Sequence, residues 1–439
     1  MKCFNILKNL FTSPLLYACV AELLISGLVT GFPSLYVALY EQKTFSDLPP
    51  TDQKVALSSI NTLSSIIRLI LLVPQGFILE NITFYMSMMI HSLLISLGCM
   101  LFGFSQNNLA GYVISMTLLG VGGNGFKISL ILNVPKLLSA DKKNMSTTLL
   151  SSFYDASSIM FYVFNLIHTK TQFEFEKILS IFSIIPYSIT IFFLVLCIKN
   201  RSWRMVNIFK LNFLHKSFTS IKKSFLTIDY LLLNVIFLPV IFFLNFYFST
   251  VVYRKTDATQ LDILVAIFTF LNPSIMILSS VVFGKIFTIY RDRLYISYII
   301  TCFVTLIWSC LLLIPYSEVN YIQYIQLVLT YLFFILHRCA LLAIYTIHMV
   351  DLCGGKNFPV LLGISSIIPS LLSLSINKFV EYSIINSFDL ANYIQQGSFC
   401  LTFAIIILYT KSKLTANNDN IMEKKGNLVD KTNDDEMRI

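Results

Sequence analysis

Charge is what this sequence has least of. Only 13% of its 439 residues are Asp, Glu, Lys or Arg, against 56% that are hydrophobic, and the mean hydropathy is +0.74. Soluble domains carry about 25% charged residues, so this composition excludes an ordinary water-facing globule and reads as a polytopic membrane protein. The punctuation of catalysis is missing as well. HExxH, GxSxG and a Walker lysine are all absent, and an enzyme is not expected. The nine cysteines are scattered, mostly inside apolar runs, with no CxxC and no Cys/His cluster. They read as small buried hydrophobes, and neither a metal nor a cofactor is expected. The net charge of +9 is gathered in loops, which argues for membrane topology and against a nucleic-acid partner.

What is present is length of apolar sequence. A bilayer crossing needs about twenty apolar residues. Such windows fall near 15–40, 55–79, 84–104, 109–133, 146–168, 177–198, 229–250, 261–284, 294–315, 321–345, 358–381 and 391–410. Lys2 and Lys8 precede the first, which runs on to about Tyr40 without a small-residue cleavage site; it reads as a retained span and not a signal peptide. The expected organisation is a six-helix half (1–198), a basic loop (199–228), a second six-helix half (229–410) and a polar tail (411–439). The tail should be disordered. The loop holds seven basic residues and no acidic one, with Trp203, Phe209, Phe213, Phe218 and Phe225 between them. That pattern suits a positive-inside bridge lying on an anionic leaflet. With the N-terminus in the cytosol, sixteen Lys and Arg fall on the inner side and seven on the outer, so both termini are expected to be cytosolic. Two six-helix halves joined by a long basic loop is the layout of the major facilitator fold, an all-α membrane architecture with a mid-membrane cavity between the halves.

Five ionisable residues lie well inside predicted spans: Glu22, Arg68, Lys127, Asp155 and Arg338. Each costs about 2.5–3.5 kcal/mol at a helix centre unless paired or hydrated. Glu22, Lys127 and Asp155 sit at comparable depth, roughly 9–14 Å from the inner ends of their spans at 1.5 Å per residue. Lys127 is therefore expected to bridge to Glu22 or Asp155, as a helix-holding pair or a gate. Glu22 is otherwise a ligand for a substrate amine or a proton, and Arg68 a ligand for a carboxylate or a helix anchor. Arg338 follows His337, and one of the two should face the cavity. Ser26, Ser152, Asn245, Tyr247 and Asn272 are further polar candidates for its wall. Gly27 and Gly31 form a small-xxx-small face that lets helices approach closely.

Gly120-Val121-Gly122-Gly123-Asn124-Gly125-Phe126-Lys127 spells GxGxxG. It lies inside a hydrophobic run of some 25 residues, without the strand–turn–helix context a dinucleotide loop needs. Two readings stand. Span four thins or unwinds there, freeing N–H groups at Gly122, Gly123 and Asn124 for a carboxylate, or the glycines pack it tightly against span two.

Four stretches carry a resemblance. The first span, Glu22-Leu-Leu-Ile-Ser-Gly27-Leu-Val-Thr-Gly31-Phe-Pro-Ser-Leu35, resembles the opening helix of the L-type amino-acid transporter branch of the major facilitator superfamily (the solute carrier 43 type) and the related apicomplexan amino-acid transporters. Gly120 to Pro135, Ser151-Ser-Phe-Tyr-Asp155-Ala-Ser-Ser and Asn245-Phe-Tyr-Phe-Ser-Thr250 are similar to the same group. The superfamily's motif between spans two and three, Gly-x-x-x-Asp-Arg-x-Gly-Arg, survives only as Gly76-Phe-Ile-Leu-Glu80-Asn-Ile-Thr. The resemblance implies a plasma-membrane carrier that moves free amino acids by uniport or exchange through alternating access. The substrate ammonium would lie near Glu22 or Asp155, and its carboxylate near Arg68 or the span-four N–H groups. A monomer is expected. The alternative carrier is a proton-coupled transporter of another small organic solute, such as a drug, nucleoside or organic anion.

Overall fold

A computed structural model describes residues 14–137, 143–199, 225, 227–250, 258–290, 294–315 and 320–411. The basic loop, save its ends, the tail beyond Lys411 and the side chain of Asn272 lie outside the described residues. No strand occurs among the described residues, as expected of a chain whose backbone must satisfy its own polar groups in hydrocarbon.

The first span comprises α1 (Pro14–Ala21), a π turn (Glu22–Ser26), a 3-10 turn (Leu28–Gly31) and α2 (Phe32–Glu41). Spans two to four are single helices: α3 (Pro50–Asn81), α4 (Phe84–Gly103) and α5 (Leu109–Asn133). The fifth is split into α6 (Lys143–Ala156) and α7 (Ile159–Thr171), and the sixth into α8 (Phe175–Phe182) and α9 (Ile184–Lys199). Then come α10 (Ile228–Thr250), α11 (Ala258–Ile289), α12 (Leu294–Leu313), α13 (Asn320–Ser373) and α14 (Ile376–Ile385), closed by α15 (Asp389–Lys411). Local chemistry sets several starts. Thr83 caps α4 by accepting from the Met86 N–H (3.3 Å), and Asn108 caps α5 by accepting from the N–H groups of Ala110 and Gly111.

Among the described residues, eight helices are long and apolar enough to cross a membrane, three shorter apolar helices (Leu15–Ser26, Pro273–Phe287, Asn357–Ser373) mark further spans, and α6 with α7 supplies the remaining one. The outward side chains are apolar too. Phe192, Phe303, Leu401 and Leu408 are each more than 60% exposed, and apolar surface of this extent suits lipid as the surrounding solvent.

One expectation needs correction. A break was expected between spans ten and eleven near residues 346–357, yet helical backbone continues through it in the 54-residue α13. The chain nevertheless reverses. Along α10, Phe237 meets Tyr345 and Tyr247 meets Phe334, while Tyr230 donates to the Leu361 carbonyl (3.0 Å) and Phe246 meets Phe379. Numbering therefore falls along α10 in the first arm and rises in the second, so the two arms are antiparallel. The stretch is rich in polar residues and glycine (Asp351, Gly354, Gly355, Lys356, Asn357) but holds no proline before Pro359, so its backbone N–H groups can keep helical hydrogen bonds through the bend.

Two close helix crossings help join the first six spans to the last six. At one, Gly76 of α3 faces the backbone of Pro359 and Val360, and Gly363 of α13 faces that of Leu72 and Val73. At the other, Gly284 of α11 faces Met145 and Thr148 of α6. A Cβ at Gly363 would collide with backbone, which cannot swing aside. Gly363→Ala should therefore destabilise by about 1–3 kcal/mol through overpacking. Gly397→Ala, with open space around it, should be neutral or stabilising by up to about 1 kcal/mol from helix propensity. Thermal unfolding of the purified protein in detergent compares the two.

Candidate functional site

Span one is a broken helix, and the break is made by its own side chains. Ser26 Oγ donates to the main-chain carbonyl of Glu22 (2.9 Å) and to the Glu22 carboxylate, drawing the backbone out of regular α geometry. Gly27 follows the π turn, and Thr30 Oγ donates to the carbonyls of Gly27 (2.6 Å) and Asp155 (3.1 Å). Span five is interrupted opposite this point. Ser157 Oγ donates to the Tyr154 carbonyl (2.8 Å), closing the turn between α6 and α7. The two breaks press together backbone to backbone: a Cβ at Gly27 would overlap the Tyr154 carbonyl, and one at Gly31 the Ser158 carbonyl and the Phe161 ring.

The five intramembrane charges surround this junction and act on one another electrostatically. Asp155 accepts an ion-paired hydrogen bond from Arg338 Nη2 at 2.5 Å, with both residues buried. The expected Lys127 bridge to Asp155 or Glu22 is absent among the described residues. Lys127 Nζ instead stands 4.5 Å from the centre of the Tyr154 ring, a cation–π contact. The reason is rotation about the helix. Successive residues point about 100° apart, so Tyr154 faces span four, where its hydroxyl donates to Asn124 Oδ1 (2.8 Å), while Asp155 faces span ten. Glu22 is wholly buried; one carboxylate oxygen takes the Ser26 bond and Oε1 has no hydrogen-bond partner among the described residues. Arg68 lies along Gly120, its Nε buried and likewise without a partner among the described residues. Among the described residues, one carboxylate and two cations are thus left without a counter-ion bonded to them.

Span four does not thin or unwind at its glycines: α5 is continuous from Leu109 to Asn133, and the N–H groups of Gly122, Gly123 and Asn124 lie within it. Packing explains each glycine. Gly120 admits the Arg68 stem, Gly122 the main chain of span three at His91 and Ile95, Gly123 the Ser26 carbonyl, and Gly125 the His91 ring and the Gln75 amide. The unwound segment belongs to span one.

His337 and Arg338 divide as consecutive helical residues must. His337 turns into the last six spans, bonding Thr305 Oγ through Nδ1 (2.7 Å) and stacking on Trp308 at 5.0 Å. Ser152 Oγ lies 3.6 Å from Cys339 Sγ, a second contact from span five to span ten. Tyr247 is packed among Trp308, Phe334 and Tyr331, while Asn245, two positions earlier and so on a different side of the same helix, is half-buried. Sequence reasoning did not single out Tyr154 or Thr30. Tyr154 adjoins Asp155, so the signal for it was its place one position from a buried charge. Among the described residues no group of His, Cys, Asp and Glu could hold a metal.

No protein-family model and no curated protein sequence matches the chain. Solved structures do. The proton:xylose symporter XylE bound to 6-bromo-6-deoxy-D-glucose superposes with a TM-score of 0.64 at 11% identity, over 91% of this chain and 94% of that one. The E. coli fucose:proton symporter FucP does so with a TM-score of 0.59 at 13% identity, over 90% and 98%. The chain has the major facilitator fold. In that fold the Asp155–Arg338 pair and the Ser152–Cys339 contact join one six-helix half to the other, and Glu22, Arg68 and Lys127 all belong to the N-terminal half.

Removing one partner of a buried ion pair leaves a charge where water is excluded, which costs about 3–5 kcal/mol. Asp155→Asn should show a loss of that order in thermal unfolding. Asp155→Asn combined with Arg338→Met should recover most of it. A double mutant as unstable as the single one would show that the pair does not couple the halves.

Proposed function

We propose that this protein is a membrane carrier that moves amino acids by alternating access, the two six-helix halves rocking about the junction of spans one, five and ten. The observation that carries the reading is the set of unmatched charges in the N-terminal half. A zwitterion would place its ammonium on the free oxygen of Glu22 and its carboxylate between Arg68 and Lys127, restoring counter-ions to groups that are expensive to bury alone. Ser26 and Asn124 would orient it, and Asn245 and Tyr247 are candidates for the facing wall. Asp155 and Arg338 would act as the gate between halves, since their contact must part for the cavity to open on that side. The excess of Lys and Arg in the expected inner loops favours cytosolic termini, and the resemblance to amino-acid carriers favours the plasma membrane and a monomer. The divisions at 199 and 228 would then separate two rigid halves linked by a cytosolic strap.

Uptake of each of the twenty amino acids as tracer into cells expressing the chain tests the reading. Glu22→Gln and Arg68→Ala should each reduce uptake of the transported species at least tenfold; unchanged kinetics in both would remove these residues from the site. Ser152→Cys, placed beside Cys339, should allow an oxidant to lock the halves and stop uptake, with recovery on reduction. Uptake that persists with the bond formed would show that spans five and ten do not part there.

A second reading rests on the same Glu22 oxygen. A buried carboxylate with one vacant acceptor is also a proton site, and the structurally similar XylE and FucP are described as proton symporters. In that reading the solute enters with a proton carried on Glu22. Uptake would be abolished by a protonophore in the wild type, and Glu22→Gln would retain exchange while losing accumulation. Accumulation insensitive to the protonophore would reject it.

A further inference from the structure

The five charges of the junction do not cancel. Three cations, Arg68, Lys127 and Arg338, act with two carboxylates, Glu22 and Asp155, so the group carries one net positive charge. Asp155 and Arg338 are matched to one another, which puts the excess on Arg68 and Lys127. Lys127 keeps its proton in this setting, because its Nζ lies 4.5 Å from the centre of the Tyr154 ring, and the face of an aromatic ring attracts an ammonium and not a neutral amine. Protonating Glu22 would enlarge the excess. The two cations are also spaced apart along one wall. Gly120, Asn124 and Lys127 share a face of α5, and the Arg68 stem rests on Gly120 at one end of it. Gly120 and Lys127 are two turns apart, about 10 Å at 1.5 Å per residue. Between these anchor points Asn124 accepts from the Tyr154 hydroxyl (2.8 Å).

A substrate with one ammonium and one carboxylate leaves this excess as it was, since its own charges cancel. While the cavity is open, water hydrates the surplus. Alternating access passes through a state closed to both sides, where the loaded site is driest and an uncompensated charge is most expensive to hold. We infer that the substrates are amino acids with a carboxylate in the side chain, aspartate or glutamate, whose net negative charge completes the balance. The ammonium would lie on Glu22, and each carboxylate would have a cation of its own, Arg68 or Lys127. Asparagine and glutamine match these acids in shape and lack only the charge, so the site would separate each pair electrostatically. The inference rests on the amino-acid carrier reading and narrows it.

The test is equilibrium dialysis of the full chain in detergent, with tritiated aspartate, asparagine, glutamate and glutamine as probes. At least one acid should bind at least tenfold more tightly than its amide, in chloride and in methanesulfonate buffer alike. Lys127→Gln and Arg68→Gln each bring the charge sum to zero, and each should cut that ratio to below twofold, whereas Lys127→Arg should keep it. Amides that bind as tightly as the acids in the wild type would overturn the inference. So would amides that match the acids in chloride alone, because a free halide would then supply the missing charge. A ratio unchanged in both neutral variants would overturn the assignment to these two cations. Succinate and glutarate, which lack the ammonium, should compete at least tenfold less well than the amino acids; equal competition would remove the Glu22–ammonium contact from the carrier reading and leave the second carboxylate in place. Uptake of neutral amino acids and of neither acid would overturn this inference and leave the carrier reading. Acid-selective binding with no uptake of any amino acid would count against the carrier reading and not against the charge preference.

Discussion

A carboxylate and a guanidinium buried in hydrocarbon are each several kcal/mol worse off than in water, and only close contact offsets that penalty. Asp155 and Arg338 meet at 2.5 Å across the two halves, so their contact and the closure of the halves are one event. Parting the helices separates the charges, and each must then be hydrated. A water-filled cavity supplies that hydration and a lipid-filled gap does not. The pair therefore does more than hold the halves together: it restricts the open forms to those that admit water between spans five and ten. The other polar contact at this level, Ser152 with Cys339, is weak by comparison and would resist opening little.

The breaks in spans one and five put the remaining charges within reach of that seam. An unbroken helix presents side chains on a fixed spiral, and its carbonyls are occupied. The π turn at Glu22–Ser26 and the gap at Ser157–Ser158 let the two main chains touch at Gly27 and Gly31. Thr30 bonds the carbonyl of Asp155 itself. Asp155 is thus fixed by its backbone to span one and by its carboxylate to span ten, and displacement of either partner would move it. Tyr154 fills the opposite role. Its ring beneath Lys127 and its hydroxyl on Asn124 keep the lysine on the span-four side of α6, apart from the aspartate it would otherwise neutralise.

Much of this was readable from residues alone, and the limits have a common cause. Hydropathy measures what surrounds a helix, so span number and the all-α fold were legible. Insertion cost identifies buried charges, so the five ionisable residues stood out. Depth also follows from counting along a helix, which is why Lys127, Asp155 and Glu22 looked like partners. Azimuth does not follow from counting, because it depends on how each helix is rotated against its neighbours, and a rotation of one residue exchanged Asp155 for Tyr154 as the group facing Lys127. The glycines of span four were ambiguous for a related reason. A glycine permits unwinding and close approach equally, and the outcome depends on whether a neighbour presses in. Here the main chain of Ser26, the ring of His91 and the stem of Arg68 all do. The unwinding went to span one, where Ser26 and Thr30 give the backbone alternative bonds, so the informative signal was hydroxyl placement beside glycine and not glycine density.

Fold likeness does not choose the cargo. At 11% and 13% identity, the likeness to the sugar symporters is one of architecture and says nothing of the site. The choice rests on charge accounting. Once Asp155 and Arg338 neutralise one another, the junction holds one carboxylate and two cations with buried, unbonded polar atoms at Glu22 Oε1 and Arg68 Nε. A neutral hydroxylated solute supplies dipoles to these groups and leaves their charges in place. A zwitterion supplies a full charge of each sign at one spacing, and its carboxylate has acceptor sites enough for two cations. Low dielectric at the site widens the energetic difference between these cases, because a charge–charge contact gains more than a charge–dipole contact as screening falls. A bound zwitterion would also leave the Asp155–Arg338 pair undisturbed, so loading the site and opening the seam would remain separable steps.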